Sequence, residues 1–414
     1  MERALAARGA FDGVKIVEYA TMVSGPYCGK LLADMGADVI KVEEPPSGDP
    51  ARQRGPFPGD EPHPERSGLF LYLNTSKRGI TLNLDRPDGL EAFRRLVAWA
   101  DVLIDNHPPE GLESLGLGWD ELRRQNPSLI LASLTPYGRT GPRARAKGGE
   151  LTSFHAGGLG NLLPTRSEDM SRPPIKAGGY PTGYSTGLTA AVAIAGALYG
   201  RRASGGGGRL IDVSEQEAIL ALVRTNVAST IYHRTAWSRV PERPPALGRL
   251  ECKDGYVVAL LIEDRHWRAF VDLMGNPEWA SGPEWGTLFY RAGHLMEIAD
   301  HIAEWAAQQS KEDVHHRGAA KGFAIGSVYS AEEVMNYRQH LARDYFVEVD
   351  HPEAGKARYA GWPYKMRASP PAVQRPAPLL GQHNREVLED VLGFSADEFA
   401  DLCRKGAAWK AGGQ

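Results

Sequence analysis

The sequence is poor in cysteine and nearly balanced in charge. Its 414 residues include three cysteines, Cys28, Cys252 and Cys403, which lie far apart and show no metal-ligand spacing. A sparse, odd number argues against the disulfide framework of a small secreted protein. With 48 Lys and Arg against 51 Asp and Glu, the formal net charge is −3. This balance disfavours a protein that binds nucleic acids or membrane surfaces.

Long apolar runs are scarce as well. Residues 1–10 carry no apolar core, so they predict no signal peptide. The longest uncharged run, 177–200, contains Pro181 and several glycines, which favours a buried helix with its preceding loop over a membrane span. Together these features predict a cytoplasmic protein.

The usual glycine-rich phosphate loops are also missing. Gly205–Gly208 lacks the P-loop pattern and precedes a predicted strand instead of following one, so it predicts a flexible turn. No GxGxxG follows a predicted strand. His315 and His316 are interpreted as part of a solvated helix face, and we predict no metal site.

The first half of the chain alternates short β-like runs with helical patterns. Apolar residues recur at helical spacing between the predicted strands, and Gly36 and Pro87 mark a helix end and a helix start. This alternation predicts a parallel sheet covered by helices on both faces. The predicted strands are 14–19, 38–42, 80–84, 102–104, 129–134 and 210–213.

Composition divides the chain into two predicted domains. We predict a large domain over 1–205 that is completed by 381–414, and a small α+β domain over 246–330. Two linkers would join them, 206–245 and 331–380, of which the second is interpreted as a return segment rich in Pro, Gly and Arg.

Several motifs, in order along nearly the whole chain, resemble the class III CoA-transferases, the CaiB/BaiF or formyl-CoA-transferase-like family. The opening combines the sequence SGPY at 24–27 with LLADMGADVIKVE at 31–43. Further matches are the segment 74–84, ADVLIDN at 100–106, LGLG at 115–118, YGRTGP at 137–142, CKDGY at 252–256 and PAPLLGQH at 376–383.

The resemblance implies a fold and a reaction. The fold would be α/β, with a Rossmann-like large domain, a smaller α+β domain and two subunits interlocked like linked rings. In such enzymes an aspartate attacks the acyl-CoA thioester, which gives a mixed anhydride, then an aspartyl-CoA thioester, and CoA then passes to an acceptor acid. Acyl-CoA is the substrate, and the resemblance implies no tightly bound cofactor.

The sequence departs from this family at the nucleophile. The family places the reactive Asp four residues before a glycine that opens a long helix of small residues. That glycine is Gly187 here, and Gly183 stands at the nucleophile position. No Asp or Glu occurs between Asp169 and Asp212, so a small alignment shift does not supply one. The sequence therefore predicts no catalytic residue at this position.

The CoA-binding residues implied by the resemblance are only partly kept. What remains of the CoA site is Lys77, Arg78, Asn106 and Lys147, with Glu150 and Tyr184 as residues that could line it. Two positions that usually carry a basic group near the CoA phosphates hold Glu44 and the segment that follows Asn106, His107–Glu110. The resemblance thus implies a weakened CoA site.

Three hypotheses follow from these departures. The first is a non-nucleophilic subunit that pairs with an Asp-bearing paralogue, in the manner of the benzylsuccinate-type CoA-transferases of aromatic degradation, and moves CoA from a donor such as succinyl-CoA. The second is a homodimer with altered acyl-CoA chemistry. The third is a non-enzymatic binding subunit. Co-purification with a paralogue would distinguish the first from the others.

Overall fold

The computed structural model describes residues 9–167, 169–241, 248–261 and 263–409. The strands in chain order are β1 (Lys15–Tyr19), β2 (Asp38–Glu43), β3 (Arg78–Thr81), β4 (Val102–Asp105), β5 (Ile130–Thr135), β6 (Arg166–Ser167), β7 (Arg209–Ser214), β8 (Val240–Pro241), β9 (Arg249–Cys252), β10 (Gly255–Leu260), β11 (Ala324–Val328), β12 (Phe346–His351) and β13 (Gly355–Ala360).

The helices alternate with the strands in the first half of the chain. They are α1 (Ser24–Ala33), α2 (Gly68–Leu73), α3 (Pro87–Trp99), α4 (Pro109–Ser114), α5 (Trp119–Gln125), α6 (Glu150–Ala156), α7 (Pro181–Ser204), α8 (Glu215–Leu220), α9 (Arg224–His233), α10 (Asp264–Leu273), α11 (Leu288–Gly293), α12 (Leu295–Ala307), α13 (Lys311–Ala320), α14 (Ala331–Asn336), α15 (Arg338–Ala342) and α16 (Ala396–Arg404).

Six strands form the predicted parallel sheet. Their order is β3-β2-β1-β4-β5-β7, and every neighbouring pair is parallel. Successive residues of each strand face opposite sides of the sheet, so Val17 joins one core and Ile16 the other. Helix α3 packs in the first core and helices α1 and α7 in the second. The predicted α/β class is therefore confirmed.

Close contact between α1 and α7 depends on glycine. A Cβ atom at Gly187 would lie 2.6 Å from the carbonyl oxygen of Ser24, and one at Gly183 would lie 2.8 Å from the side chain of Val23. Neither glycine has a positive φ, since both lie within α7. They serve the close approach of the two helices, and not a turn.

The chain divides into two compact units. The first comprises 1–165, 171–239 and 345–414, and the second comprises 166–170 and 240–344. The second unit contains the antiparallel sheet β11-β10-β9, which packs with α10, α12 and α13 around the buried ring of Trp267. It is thus an α+β unit with a core of its own.

The boundaries of these units differ from the predicted ones. The predicted linker 206–245 contains β7, the sixth strand of the large sheet, together with α8 and α9, and only its residues 242–245 lie outside the described ones. The predicted return segment 331–380 begins with α14 and α15 and contains the antiparallel hairpin β12–β13. The strand at 210–213 was predicted, but composition does not show which sheet a strand joins, and β7 pairs with β5 of the large sheet.

The C-terminal segment returns to the edge strand β3. The Thr81 amide donates to Asn384 Oδ1 at 2.8 Å, and the Trp409 amide donates to Thr81 Oγ1 at 2.8 Å. Val387 and Leu388 are buried in the same core as Val17 and α3. The first unit is therefore assembled from both ends of the chain. None of the helices among the described residues is long and apolar enough to cross a membrane.

Candidate functional site

The order of the large sheet reverses between β1 and β4. In a doubly wound sheet, the carboxyl ends of the strands at such a reversal border the ligand crevice. A cavity of about 330 Å³ lies at this edge of the sheet. It is lined by Tyr19, Ala20, Thr21, Val42, Glu43, Glu44, Ser47, Gly48, Asp49, Pro50 and His107.

This lining carries acidic groups and neither Lys nor Arg. Glu43 forms an ion pair with Arg52 at 2.7 Å, and Asp49 forms one with Lys41 at 2.9 Å. Both of these cations are fully buried. Glu44 is exposed at the rim. An anionic ligand such as a phosphate thus meets an unfavourable field in this cavity.

An aromatic pair forms one wall of the cavity. The His107 ring stacks on Tyr19 with ring centroids 4.2 Å apart, and His107 Nδ1 lies 2.8 Å from Asp105 Oδ1. Burial, reinforced by the Asp105 charge, raises the pKa of Tyr19 to about 12. The phenol is therefore neutral at physiological pH, and the wall offers flat, uncharged surface for a ring.

Asn106 connects this cavity to the start of α1. Its amide nitrogen donates to the Thr21 carbonyl oxygen at 2.8 Å and to Ser24 Oγ at 3.1 Å, and its Oδ1 accepts the Thr21 amide at 2.9 Å. The predicted CoA-site residue Asn106 is thus at the expected sheet edge, where it fixes the loop ahead of α1.

Gly183 lies in the first turn of α7, where it is buried. Its amide donates to Glu150 Oε2 at 3.0 Å, and the Thr182 amide donates to Glu150 Oε1 at 3.1 Å. The predicted site residue Glu150 therefore caps α7 with both oxygens, an arrangement that suits a carboxylate at a helix N-terminus. Lys176 Nζ, 3.6 Å away, adds a weaker attraction.

The space that a side chain at position 183 would need is already filled. Val23 is 3% exposed, and its Cβ and Cγ1 atoms both lie 2.8 Å from the position of a Cβ on Gly183. Real Cβ atoms do not approach other carbon atoms this closely. A side chain at position 183 would therefore require Val23 to move.

A carboxyl group that the sequence analysis missed lies in the same corner. Glu215 is the first residue of α8, directly after β7, and its Oε2 accepts the Ser153 hydroxyl at 3.1 Å. Ser24 also lies near enough for its hydroxyl to stabilise the charged carboxylate. Burial, together with the charge of Glu150, nevertheless raises the pKa of Glu215. Its position immediately after an edge strand of the parallel sheet, at the carboxyl end of that strand, was the available signal.

Lys77 is fully buried and does not line the cavity. Its Nζ lies 2.7 Å from Glu18 Oε2 and donates to the Pro26 carbonyl oxygen and to Asn74 Oδ1, each at 2.8 Å. Burial lowers the pKa of Lys77 to about 8, although the Glu18 charge opposes this change. The fully buried ammonium has its three donors directed at these groups.

Arg78 occupies the opposite edge of the sheet from Asn106. It begins β3, and its guanidinium binds both oxygens of Asp38 at 2.7 and 3.1 Å and Glu386 Oε1 at 3.0 Å. Asp38 begins the neighbouring β2, so this ion pair marks the amino ends of the strands. The structure thus does not bring Arg78 together with Asn106.

The two remaining predicted residues lie near α6 and α7. Lys147 is exposed on the loop that leads to α6. Tyr184, one residue beyond Gly183, is half-buried and makes an edge-on contact with Tyr27, whose ring centroid is 4.8 Å away. Burial raises the pKa of Tyr184 to about 12. Among the described residues, no group of His, Cys, Asp and Glu has the arrangement of a metal site.

Residues 183–187 spell GxSxG, although we expected no such hydrolase motif in this sequence. In hydrolases this motif forms a sharp strand-to-helix turn that exposes the serine. Here Ser185 lies within α7, and its carbonyl oxygen accepts the Thr189 hydroxyl at 2.8 Å as in an ordinary helix. The structural context of a nucleophilic serine is therefore not present at this position.

The chain belongs to CoA-transferase family III, whose family model matches residues 11–384. The resemblance found in the motifs is thereby confirmed. A succinyl-CoA–D-citramalate CoA-transferase of Chloroflexus aurantiacus is 31% identical over 402 residues, which cover 95% of this chain and 97% of that protein. A formyl-CoA:oxalate CoA-transferase of Afipia carboxidovorans is 32% identical over 426 residues, which cover 96% and 97%.

The fold agrees with two solved structures. A CaiB/BaiF family protein from Brucella suis superposes with a TM-score of 0.81 at 28% identity, covering 92% of this chain and 99% of that one. A Mycobacterium tuberculosis protein superposes with a TM-score of 0.78 at 24% identity, covering 92% and 99%, and shares the fold.

Proposed function

We propose that this chain transfers CoA from an acyl-CoA donor, such as succinyl-CoA, to a carboxylic acid, and that the reacting carboxylate is not at position 183. Family membership and the names of the two relatives support the reaction class. The position of the reacting carboxylate is inferred from Val23, which fills the space that a side chain at position 183 would need.

CoA is proposed to enter as a substrate at the cavity between β1 and β4. Asn106 and the exposed Lys147 are the predicted contacts that this proposal keeps, with Glu150 and Tyr184 lining the corner next to it. Lys77 and Arg78 are not kept as CoA contacts, because their cations are already bound to Glu18 and to Asp38. The acidic rim at Glu44 should make CoA binding weak.

A second candidate is the Asp-lacking subunit of a hetero-oligomer, in the manner of a benzylsuccinate-type CoA-transferase. The observation that favours it is an apolar face on α7, where Leu188, Val192 and Tyr199 are 52%, 66% and 76% exposed. Apolar surface of this kind marks an interface. An Asp-bearing paralogue seated there, or interlocked with this chain, would supply the nucleophile.

The deciding experiment compares the purified chain with the chain co-expressed with an Asp-bearing paralogue. Each preparation receives succinyl-CoA or formyl-CoA with a panel of mono- and dicarboxylic acids, and acyl-CoA products are separated by chromatography. Transfer by the chain alone, at the ~1–10³ s⁻¹ of ordinary enzymes, is the expected result. Transfer only by the pair would establish the second candidate, and transfer by neither would contradict the proposed function.

A further inference from the structure

The corner around Gly183 still contains two carboxyl groups, although the family's Asp is missing. Glu150 approaches it from α6, and Glu215 approaches it from α8. Ser24 joins the corner to the cavity, because its hydroxyl accepts a hydrogen bond from Asn106, which also holds Thr21 of the cavity wall. A reacting carboxylate here would lie next to the proposed CoA cavity.

Glu150 stabilises the first turn of α7. Each of its oxygens accepts a backbone amide of α7, and Lys176 lies beside it. Attack on a thioester would require Glu150 to release these amides and would leave the first turn of α7 without partners in a buried position. Loss of buried hydrogen bonds to a charged acceptor is costly, at about 1.5–3 kcal/mol each.

Among the described residues, the contacts of the Glu215 carboxylate differ from those of Glu150, because they are made with side chains. Its hydrogen-bond partners are hydroxyl groups, Ser153 at 3.1 Å and Ser24 nearby, so attack by Glu215 releases no backbone amide of a helix. Resting on the proposed CoA transfer, we propose that Glu215 is the nucleophile of this chain and replaces the Asp that the family carries at the position of Gly183.

The reaction then balances without any further reactant. A Glu215 oxygen attacks the thioester carbonyl carbon, the C–S bond breaks, and a glutamyl–acyl anhydride and CoA thiolate form. The thiolate attacks the glutamyl carbonyl carbon, which releases the donor acid as its carboxylate and leaves a glutamyl-CoA thioester. The acceptor carboxylate then attacks the glutamyl-CoA carbonyl carbon, which releases CoA thiolate and forms a glutamyl–acceptor anhydride. The thiolate attacks the acceptor carbonyl carbon of this anhydride, so that acceptor-CoA leaves and the Glu215 carboxylate is restored.

The surroundings of Glu215 suit this chemistry. Burial raises its pKa, and a carboxylate of higher pKa that has lost water is a stronger nucleophile than a solvated one. The Ser24 and Ser153 hydroxyls, which oppose the rise, are donors that steady the oxygens during attack.

The test is chemical trapping on the full-length chain. The protein is incubated with succinyl-CoA, formyl-CoA or acetyl-CoA, the thioester is trapped with hydroxylamine or borohydride, and peptides are mapped by mass spectrometry. We expect the modification at Glu215. Glu215→Gln should abolish it and reduce transfer by roughly 10³-fold or more, whereas Glu217→Gln, an exposed glutamate on the same helix, should change neither.

The melting temperature of each variant distinguishes a loss of function from a loss of folding. Because burial raises the pKa of Glu215, the amide of Glu215→Gln removes an unfavourable buried charge, so this variant should melt at the same temperature as the parent or higher. Glu215→Asp keeps a carboxylate and should keep measurable trapping. A label at Glu150 or at no glutamate from any of the three donors overturns the inference, even where turnover is intact. A label at Glu215 without transfer to any acid supports the inference and contradicts the proposed function.

Discussion

The filled corner at Gly183 makes a quantitative prediction. The methyl group of Gly183→Ala would lie 2.8 Å from Cβ and Cγ1 of Val23, about 1 Å inside the ~3.5–4.0 Å at which carbon atoms attract. Overpacking of this kind costs about 1–3 kcal/mol. A helical glycine that becomes alanine gains about 0.5–1 kcal/mol, so we expect a net loss of up to ~2.5 kcal/mol.

A matched control lies on the same helix. A Cβ atom at Gly196 would meet no atom within 4 Å, so Gly196→Ala should show only the gain of about 0.5–1 kcal/mol. The two alanine variants are compared by calorimetry, where each kcal/mol shifts Tm by roughly 2–4 °C in a unit of this size. In a Val23→Gly background both clashing atoms are gone, and the cost of Gly183→Ala should disappear.

Equal stabilisation by the two substitutions would refute this reasoning, because it would show that the corner has room. The same test extends to chemistry. Gly183→Asp should not form a trappable thioester at the introduced carboxylate, since the side chain has no place beside Val23. Rapid trapping there would mean that only the nucleophile had been lost from an otherwise intact site.

Three further outcomes are expected. The kcat/KM of transfer should fall as the pH drops through the raised pKa of Glu215, because only the carboxylate attacks, and the pH profile should locate that fall above the ordinary value for glutamate. Lys77→Met leaves a buried carboxylate short of a partner and should destabilise the fold by ~3–5 kcal/mol in denaturant titrations, whereas Arg78→Met, with partly exposed partners, should cost less. Glu44→Arg should tighten CoA binding by about tenfold in calorimetry, because it replaces a repulsive charge at the cavity rim with a cation that donates hydrogen bonds to phosphate. Unchanged affinity would show that the nucleotide of CoA binds elsewhere.

The sheet could be predicted because its signals are local. Buried parallel strands show as short apolar runs, and Pro87 and Gly36 mark helix ends within a few residues. The position of Lys77 could not be read this way. A Lys-Arg pair before a strand suits a phosphate loop, but Lys77 instead meets Glu18, 59 positions earlier, through the pairing of three strands.

For the candidate site, the sequence shows the glycine at position 183 but not the residues that surround it. Gly183 is visible in the sequence because the motif around it is kept. The contact of Val23 with Gly183 and the approach of Glu215 depend on how α1, α6, α7 and α8 pack. Val23 and Gly183 are 160 positions apart in the chain, and Glu150 and Gly183 are 33 positions apart. Helix packing of this kind leaves no periodic trace in either partner.

The return of the C-terminal segment to β3 sets a condition on synthesis. While the ribosome adds residues in order, the six strands of the sheet are complete once β7 has emerged, but Val387, Leu388 and Leu402 of their core have not been made. The second unit, almost continuous over 240–344, is complete earlier. The large unit therefore closes only after residues 387–402 have emerged, and until then it has an open apolar surface. Intermediates of this kind depend on chaperones.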